Sequence, residues 1–286
     1  MKLCFFNDKQ LGLVEDNTVY DVSSALDTID SRHYPFPTHD LYIAALPKLK
    51  DKILAQKRIA TTYNVNDVKF LPPVLNPGKI VAAPVNYQAH LDEAIADTET
   101  FSRAHVRKIQ ETGLFLKATS SLVGQGDTVL INLPERRTDH EIELVAIIGK
   151  AGSNIPASEA LNYVAGYSIG LDITIRGPEE RSLRKSLDTY TVLGPWLVTS
   201  DEISDPHALA MQLTVNGEDR QIANTKDLIM DVAELIEFAS KFYTLQPGDL
   251  LYTGTPEGVG EIKHGDTITS KIEKIGTLTV EVRNAQ

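Results

Sequence analysis

The sequence predicts an α+β chain that is mainly β. Short β-branched runs separated by turn residues fill the longer C-terminal part. Only two stretches repeat apolar residues at helical spacing. A proline-rich segment near residue 70 divides a small leading part from the rest. Taken in order, "MKLCFFNDKQLGLVEDNTVYDVSSAL" reads as strands joined by polar turns, and "DLYIAALPKLKDKILAQKR" as a helix. "FLPPVLNPGK" carries three prolines and a glycine and suits a linker, which gives a small N-terminal domain over residues 1–70 and a larger one over 71–286. Strand runs follow at "KIVAAPV", "DTVLIN", "EIELVAIIG", "YVAGYSIGLDI", "LTVNG", "DLLYTGT" and "TLTVEV". One helix interrupts them at "TKDLIMDVAELIEFASKFY", where Ile229, Val232, Ile236 and Ala239 recur near helical spacing and Thr225 or Asn224 is available as its cap.

Composition narrows the function. The chain has 286 residues, 42% of them hydrophobic, enough for one large core with an appendage or for two modest ones. A net charge of −11, a pI near 5.1 and the lack of a dense Lys/Arg run argue against nucleic acid or an anionic membrane as partner. An anionic substrate stays open if a cation supplies the positive charge. No apolar run approaches the roughly 20 residues that span a bilayer, and "MKLCFFNDKQLG" turns polar too early for a signal peptide, so the expected location is the cytoplasm. The single cysteine, Cys4, excludes an intrachain disulfide and reads as a buried strand residue.

"DHEIELVAIIGK" puts Glu141 and Glu143 into an otherwise buried strand. Alternation sends both to one face, about 7 Å apart, while Ile142, Leu144 and Ala146 face the other way. Such spacing lets two carboxylates converge on one cation, although it also marks an ordinary strand with one wet face. A third acid, Asp172, stands between Leu171 and Ile173 in "GYSIGLDITIRGPEERS", where it could also cap a turn or pair with Arg176. Together the three make a set of hard oxygen ligands without His or Cys. That set suits Mg²⁺ or Mn²⁺ better than Zn²⁺, with Ca²⁺ a further hard cation of the same preference.

The segments "NYQAHLDEA", "FLKATSSLVGQGD", "DHEIELVAIIGK", "GLDITIR", "KSLDTYTVLGPWLVTSDEI" and "PGDLLYTGTPEGVG" follow one another as in the fumarylacetoacetate hydrolase family, and the resemblance covers roughly residues 77 to 284. It implies a mixed β-roll catalytic domain, a homodimer, and a divalent cation held by Glu141, Glu143 and Asp172. A cation so held keeps open positions to chelate a 2-oxo acid, withdraw electron density and stabilise the enolate left when an adjacent bond breaks. Lys185 in "RKSLDT" matches a lysine that reaches the substrate's oxygens; without the resemblance it would read as a solvated surface lysine. His90 and Glu93 are three apart and neighbours on a helical turn, so the carboxylate can orient the imidazole as a general base for water. A plain surface pair is the alternative. In relatives such a pair lies on a lid, and "IADTETFSRAHVRK" has the polar character of one, with His105 read as solvated. Thr255, in the Gly- and Pro-rich "LLYTGTPEGVG", matches a residue that binds the substrate carboxylate, in a turn that can equally be structural. Lys117 and Arg176 are also placed at the site, as residues that face the substrate.

Two departures from the family pattern stand out. After Asp172 and Arg176 come Gly177, Pro178 and Glu179, and Glu179 takes the place of a glutamine that contacts substrate. "AAPVNY" also replaces a commoner "VGLNY". The family's reactions include hydrolysis of acylpyruvates, decarboxylation of oxo acids such as oxaloacetate, and isomerisation of dienoic diacids. Hydrolysis alone needs a base for water, which His90 and Glu93 fit. The resemblance therefore implies a metal-dependent hydrolase of a fumarylpyruvate- or maleylpyruvate-like acid from aromatic breakdown, with decarboxylase or isomerase as the alternatives.

Overall fold

The computed structural model describes residues 1–30, 35–96 and 109–285. Most of the expected lid, residues 97–108 with His105, lies outside them. The strands form one large sheet and two smaller ones. Across the large sheet the order is Thr62–Asn64, Thr18–Asp21, Gln10–Glu15, Lys2–Phe6, Thr191–Thr199, Val164–Asp172, Ile142–Ile148, Leu250–Tyr252, Ile80–Ala82 and Phe115–Lys117. The mainly β class with helices added is as expected.

The central strand Ile142–Ile148 is buried along its whole length. Ile142, Leu144, Ala146 and Ile148 enter one core, while Val145 and Ile147 enter another. This is the two-sided burial of a strand with cover on both faces, reached through the alternation of its side chains. The first core also takes in Met211, Leu213 and Val280 of the five-stranded sheet and Val232, Leu235, Ile236 and Ala239 of the helix Val232–Ser240. The second packs the helix Leu41–Lys57 through Ile43, Leu46, Leu49 and Ile53, each such side chain contributing about 1.5–3 kcal/mol on burial.

The N-terminal strands extend the large sheet. Lys2 and Leu3 pair antiparallel with Val198 and Leu197. Within the proline-rich segment, Leu71 and Phe70 pair with Phe5 and Phe6. Residues before and after position 70 thus share one sheet. Cys4 is buried on Lys2–Phe6, and burial pushes its thiol up from the usual range, which fits an inert packing residue. Among the described residues no helix is long and apolar enough to cross a membrane.

One element differs from expectation. The second helix begins at Val232 rather than near Thr225, and Asn224 caps only a short 3₁₀ turn, Thr225–Asp227. The intervening backbone is taken by Asn86, whose carbonyl accepts from Ile229 N at 2.7 Å and whose side chain accepts from Met230 N at 2.8 Å. Asp231 is the real cap: its carboxylate accepts from Glu234 N at 2.9 Å while Glu234 accepts from Asp231 N at 3.0 Å. This reciprocal pair satisfies two donors that the first turn leaves open. Asp231→Ala is expected to lower stability by about 1 kcal/mol, visible as a lower midpoint in denaturant unfolding, without loss of turnover.

Candidate active site

Glu141 occupies the single non-strand position between Thr138–His140 and Ile142–Ile148, where the chain passes from the three-stranded sheet into the large one. Asp172 ends its neighbour strand, with its amide donating to Glu141 O at 2.9 Å. Glu143 follows on the buried strand, opposite Gly170. The three carboxylates are buried, and each offers an oxygen within 4.8 Å of the others. Two unit charges at 4.8 Å repel by roughly 3 kcal/mol at an effective dielectric of about 20, so the group needs compensation.

Three cationic side chains supply part of it. Lys185 Nζ donates to Glu141 and Asp172, both at 2.7 Å, and to Thr174 Oγ1 at 2.6 Å, which uses all three of its hydrogens. Lys117, fully buried, donates to the other oxygen of Asp172 and to the carbonyls of Lys185 and Tyr190. Burial pulls its ammonium down against the pull of Asp172. Arg176 bridges Asp139 at 2.7 Å and Glu141 at 3.0 Å. Burial by itself would raise Glu141, but Lys185 and Arg176 outweigh it and hold its carboxyl well below the usual range.

Glu143 has no hydrogen-bonded cation among the described residues. One oxygen accepts from Gly254 N at 2.7 Å, and burial with the nearby Asp172 charge pushes its carboxyl well above the ordinary value. A divalent cation removes that penalty, and an all-carboxylate donor set suits a hard one. The residues present therefore fit the expected metal.

A second constellation flanks the first. His90 and Glu93 lie on the helix Gln88–Ala96, with Nδ1 2.9 Å from Glu93 Oε2. A carboxylate only accepts, so Nδ1 carries the proton and Nε2 is the basic nitrogen. Glu93 Oε1 in turn accepts from Gly258 N at 3.0 Å, and His90 is close enough to Glu141 to act on it electrostatically. Gly254 and Gly258 adopt φ of 97° and 84°, and a Cβ at either would meet Asn86 Cβ at 2.7 Å or Arg220 O at 2.1 Å. Only glycine turns both amides toward the two glutamates. Between them, Thr255 is buried and its Oγ1 accepts from Gln221 Nε2 at 2.8 Å.

The predicted residues thus gather, with one exception. Glu179 turns its carboxylate to Arg136, at 3.0 and 2.8 Å, rather than toward the three acids. Lys185, expected on the substrate, has its three hydrogens on Glu141, Asp172 and Thr174. Residues the sequence reading did not assign also appear. Asp139 is fully buried between Arg137 and Arg176, both at 2.7 Å. Its place at the head of "DHEIE" is the only local sign. Gln221 reaches the site from the five-stranded sheet, with no local pattern to mark it.

Over residues 79–283 the chain matches the family described as Fumarylacetoacetate (FAA) hydrolase C-terminal. A maleylpyruvate hydrolase of Aquipseudomonas alcaligenes is 51% identical over 286 residues, 99% of this chain and 100% of that protein. The crystal structure of maleylpyruvate hydrolase from Sphingobium sp. SYK-6 in complex with manganese(II) ion and pyruvate is similar at a TM-score of 0.85 and 36% identity, covering 100% of both chains. A mitochondrial oxaloacetate tautomerase of Rattus norvegicus is 36% identical over 229 residues, 76% of this chain and 70% of that protein. With its motifs in register and this likeness along its whole length, the protein belongs to the fumarylacetoacetate hydrolase family.

Proposed function

We infer that the protein is a divalent-metal-dependent hydrolase that cleaves a C–C bond of an acylpyruvate, with maleylpyruvate as the leading substrate. The observation that carries this is the buried Glu141, Glu143 and Asp172 group beside the His90–Glu93 pair, in a chain 51% identical to a maleylpyruvate hydrolase end to end. The reaction adds water across the bond between the acyl carbon and the methylene of pyruvate, giving a carboxylic acid and pyruvate. The chemistry a divalent cation supplies when held by these carboxylates is Lewis-acid polarisation of the 2-oxo acid.

The chain's own groups supply the rest. His90 Nε2 removes a proton from the attacking water, Glu93 steadies the imidazolium that forms, and the proton then returns to the departing methylene carbon. The Gly258 amide keeps Glu93 in line with this role. Thr255 binds the substrate carboxylate, Lys185, Lys117 and Arg176 hold Glu141 and Asp172 in place, and Lys185 with Arg176 keeps Glu141 ionised. Glu179, paired with Arg136, acts at most on the outer part of the substrate. Mg²⁺ or Mn²⁺ is proposed as the metal, a homodimer as the working assembly and the cytoplasm as its location. The acidic chain and its hard donor set are in keeping with these.

Metal-stripped protein supplied with Mn²⁺ or Mg²⁺ is expected to convert maleylpyruvate to pyruvate and a second acid, followed by absorbance with products identified by mass. Release of CO₂ from oxaloacetate with acylpyruvates left intact would instead assign a decarboxylase. Glu143→Gln is expected to weaken Mn²⁺ binding, measured by titration calorimetry, beyond the roughly 10–100-fold that disturbing a ligand's hydrogen-bonding partner brings. His90→Ala is expected to keep Mn²⁺ affinity and to lower kcat by about 10²–10⁴, and an unchanged rate would remove the base.

A further inference from the structure

Gln221 belongs neither to the three acids nor to the His90–Glu93 pair, and the chemistry above does not call on it. Its setting is unusual. The strand Glu218–Asn224 runs along the edge of the five-stranded sheet, with Glu218, Asp219 and Arg220 exposed. Yet Gln221 is 1% exposed and the next residue, Ile222, is 63% exposed. A polar side chain inside and an apolar one in water reverse the normal order, which marks a position kept for something other than packing. The backbone shows how the reversal arises. An Asn216-Gly217 turn with φ of 53° and 82° starts the strand, and its partner register then slips: Thr214 pairs with Asp219 and Leu213 with Gln221, which leaves Arg220 as an extra residue. Such a bulge re-aims the side chain beside it.

The bonds of the carboxamide can be assigned without ambiguity. Ile142 N lies 3.1 Å from Oε1 and can only donate; the Pro256 carbonyl lies 2.9 Å from Nε2 and can only accept. The second hydrogen on Nε2 therefore goes to Thr255 Oγ1 at 2.8 Å. His140 Nδ1, 3.2 Å from Oε1, is the remaining donor. Thr255 thus accepts from Gln221, and its own hydrogen is left for a different acceptor. Ile142 is the residue between the two metal-binding glutamates. One buried carboxamide consequently joins the backbone of that strand to the loop carrying Thr255.

We propose that Gln221 is a positioning residue: it ties the Glu141–Glu143 strand to the Thr255 loop and obliges the Thr255 hydroxyl to act as a donor, matched to the carboxylate of a 2-oxo acid. This rests on the assignment of Thr255 to the substrate carboxylate. A role in folding alone would change stability and leave substrate affinity untouched, so the two are separable.

The test compares KM, kcat, Mn²⁺ affinity and thermal midpoint for the wild-type protein, Gln221→Met, Thr255→Val and the double variant, all with Mn²⁺ and an acylpyruvate. Gln221→Met is expected to raise KM by about 10- to 100-fold, the loss of one hydrogen bond to a charged group. Mn²⁺ affinity and kcat are expected to change little, and adding Thr255→Val to Gln221→Met is expected to raise KM no further. A wild-type KM in Gln221→Met, or additive losses in the double variant, overturns the proposal. A wild-type KM in Thr255→Val removes the assignment of Thr255 beneath it. Should Gln221→Met not fold, Gln221→Glu carries the same comparison, because its carboxyl still accepts from Ile142 N–H but cannot donate to both Thr255 and Pro256.

Discussion

Three carboxylates held within 4.8 Å in a buried pocket repel one another, and the surrounding structure answers that repulsion. Lys117 and Lys185 divide the two oxygens of Asp172, and Lys185 and Arg176 divide those of Glu141. The backbone contributes where no cation reaches, through the Gly254 amide on Glu143. Because Lys117 is itself buried and Arg176 largely so, each of these cations depends on the acids as much as the acids depend on it. The chain's own groups therefore answer the charge of Glu141 and Asp172, and Glu143 is the acid left for a cation to balance.

This arrangement draws on every layer of the fold. The large sheet supplies Glu143 and Asp172, the join to the three-stranded sheet supplies Glu141, and the five-stranded sheet reaches in through Gln221. The loop after Leu250–Tyr252 then makes contact with both groups of the site, Gly254 with Glu143 and Gly258 with Glu93. Glu143 and the His90 pair are thus held to one short loop, and a shift in that loop would be felt by both.

Local pattern carries a good part of this. The Glu141 and Glu143 spacing and the isolated Asp172 are visible because a charged residue in an apolar run has no packing reason to be there. The three-residue step from His90 to Glu93 is likewise a short-range signal, and so is the glycine content of the loop around Thr255. What escapes is whatever depends on distant pairing. Gln221 looks like one more polar residue in an exposed hairpin, and only the slipped register at Arg220 turns it inward. Asp139 and Arg136 gain their meaning from Arg176 and Glu179, which lie across a strand boundary. The start of the second helix was misplaced for the same reason, since Asn86, far away in sequence, takes the backbone groups of residues 229 and 230 that a longer helix would have used.

The placement of the first strand has a bearing on how the chain comes to be folded. Lys2–Phe6 completes its pairing with Thr191–Thr199, so that Met1 meets Thr199 across 198 positions of sequence. During synthesis this strand has only its hairpin neighbour and the short Phe70–Leu71 partner until residues 191–199 have emerged from the ribosome. Contacts of such long range close late, which predicts slow assembly, with the backbone edge of Lys2–Phe6 left waiting for its partner. The strand that opens the described chain thus depends for its last partner on residues nearly two hundred positions away, a constraint on the order of assembly rather than on the finished fold.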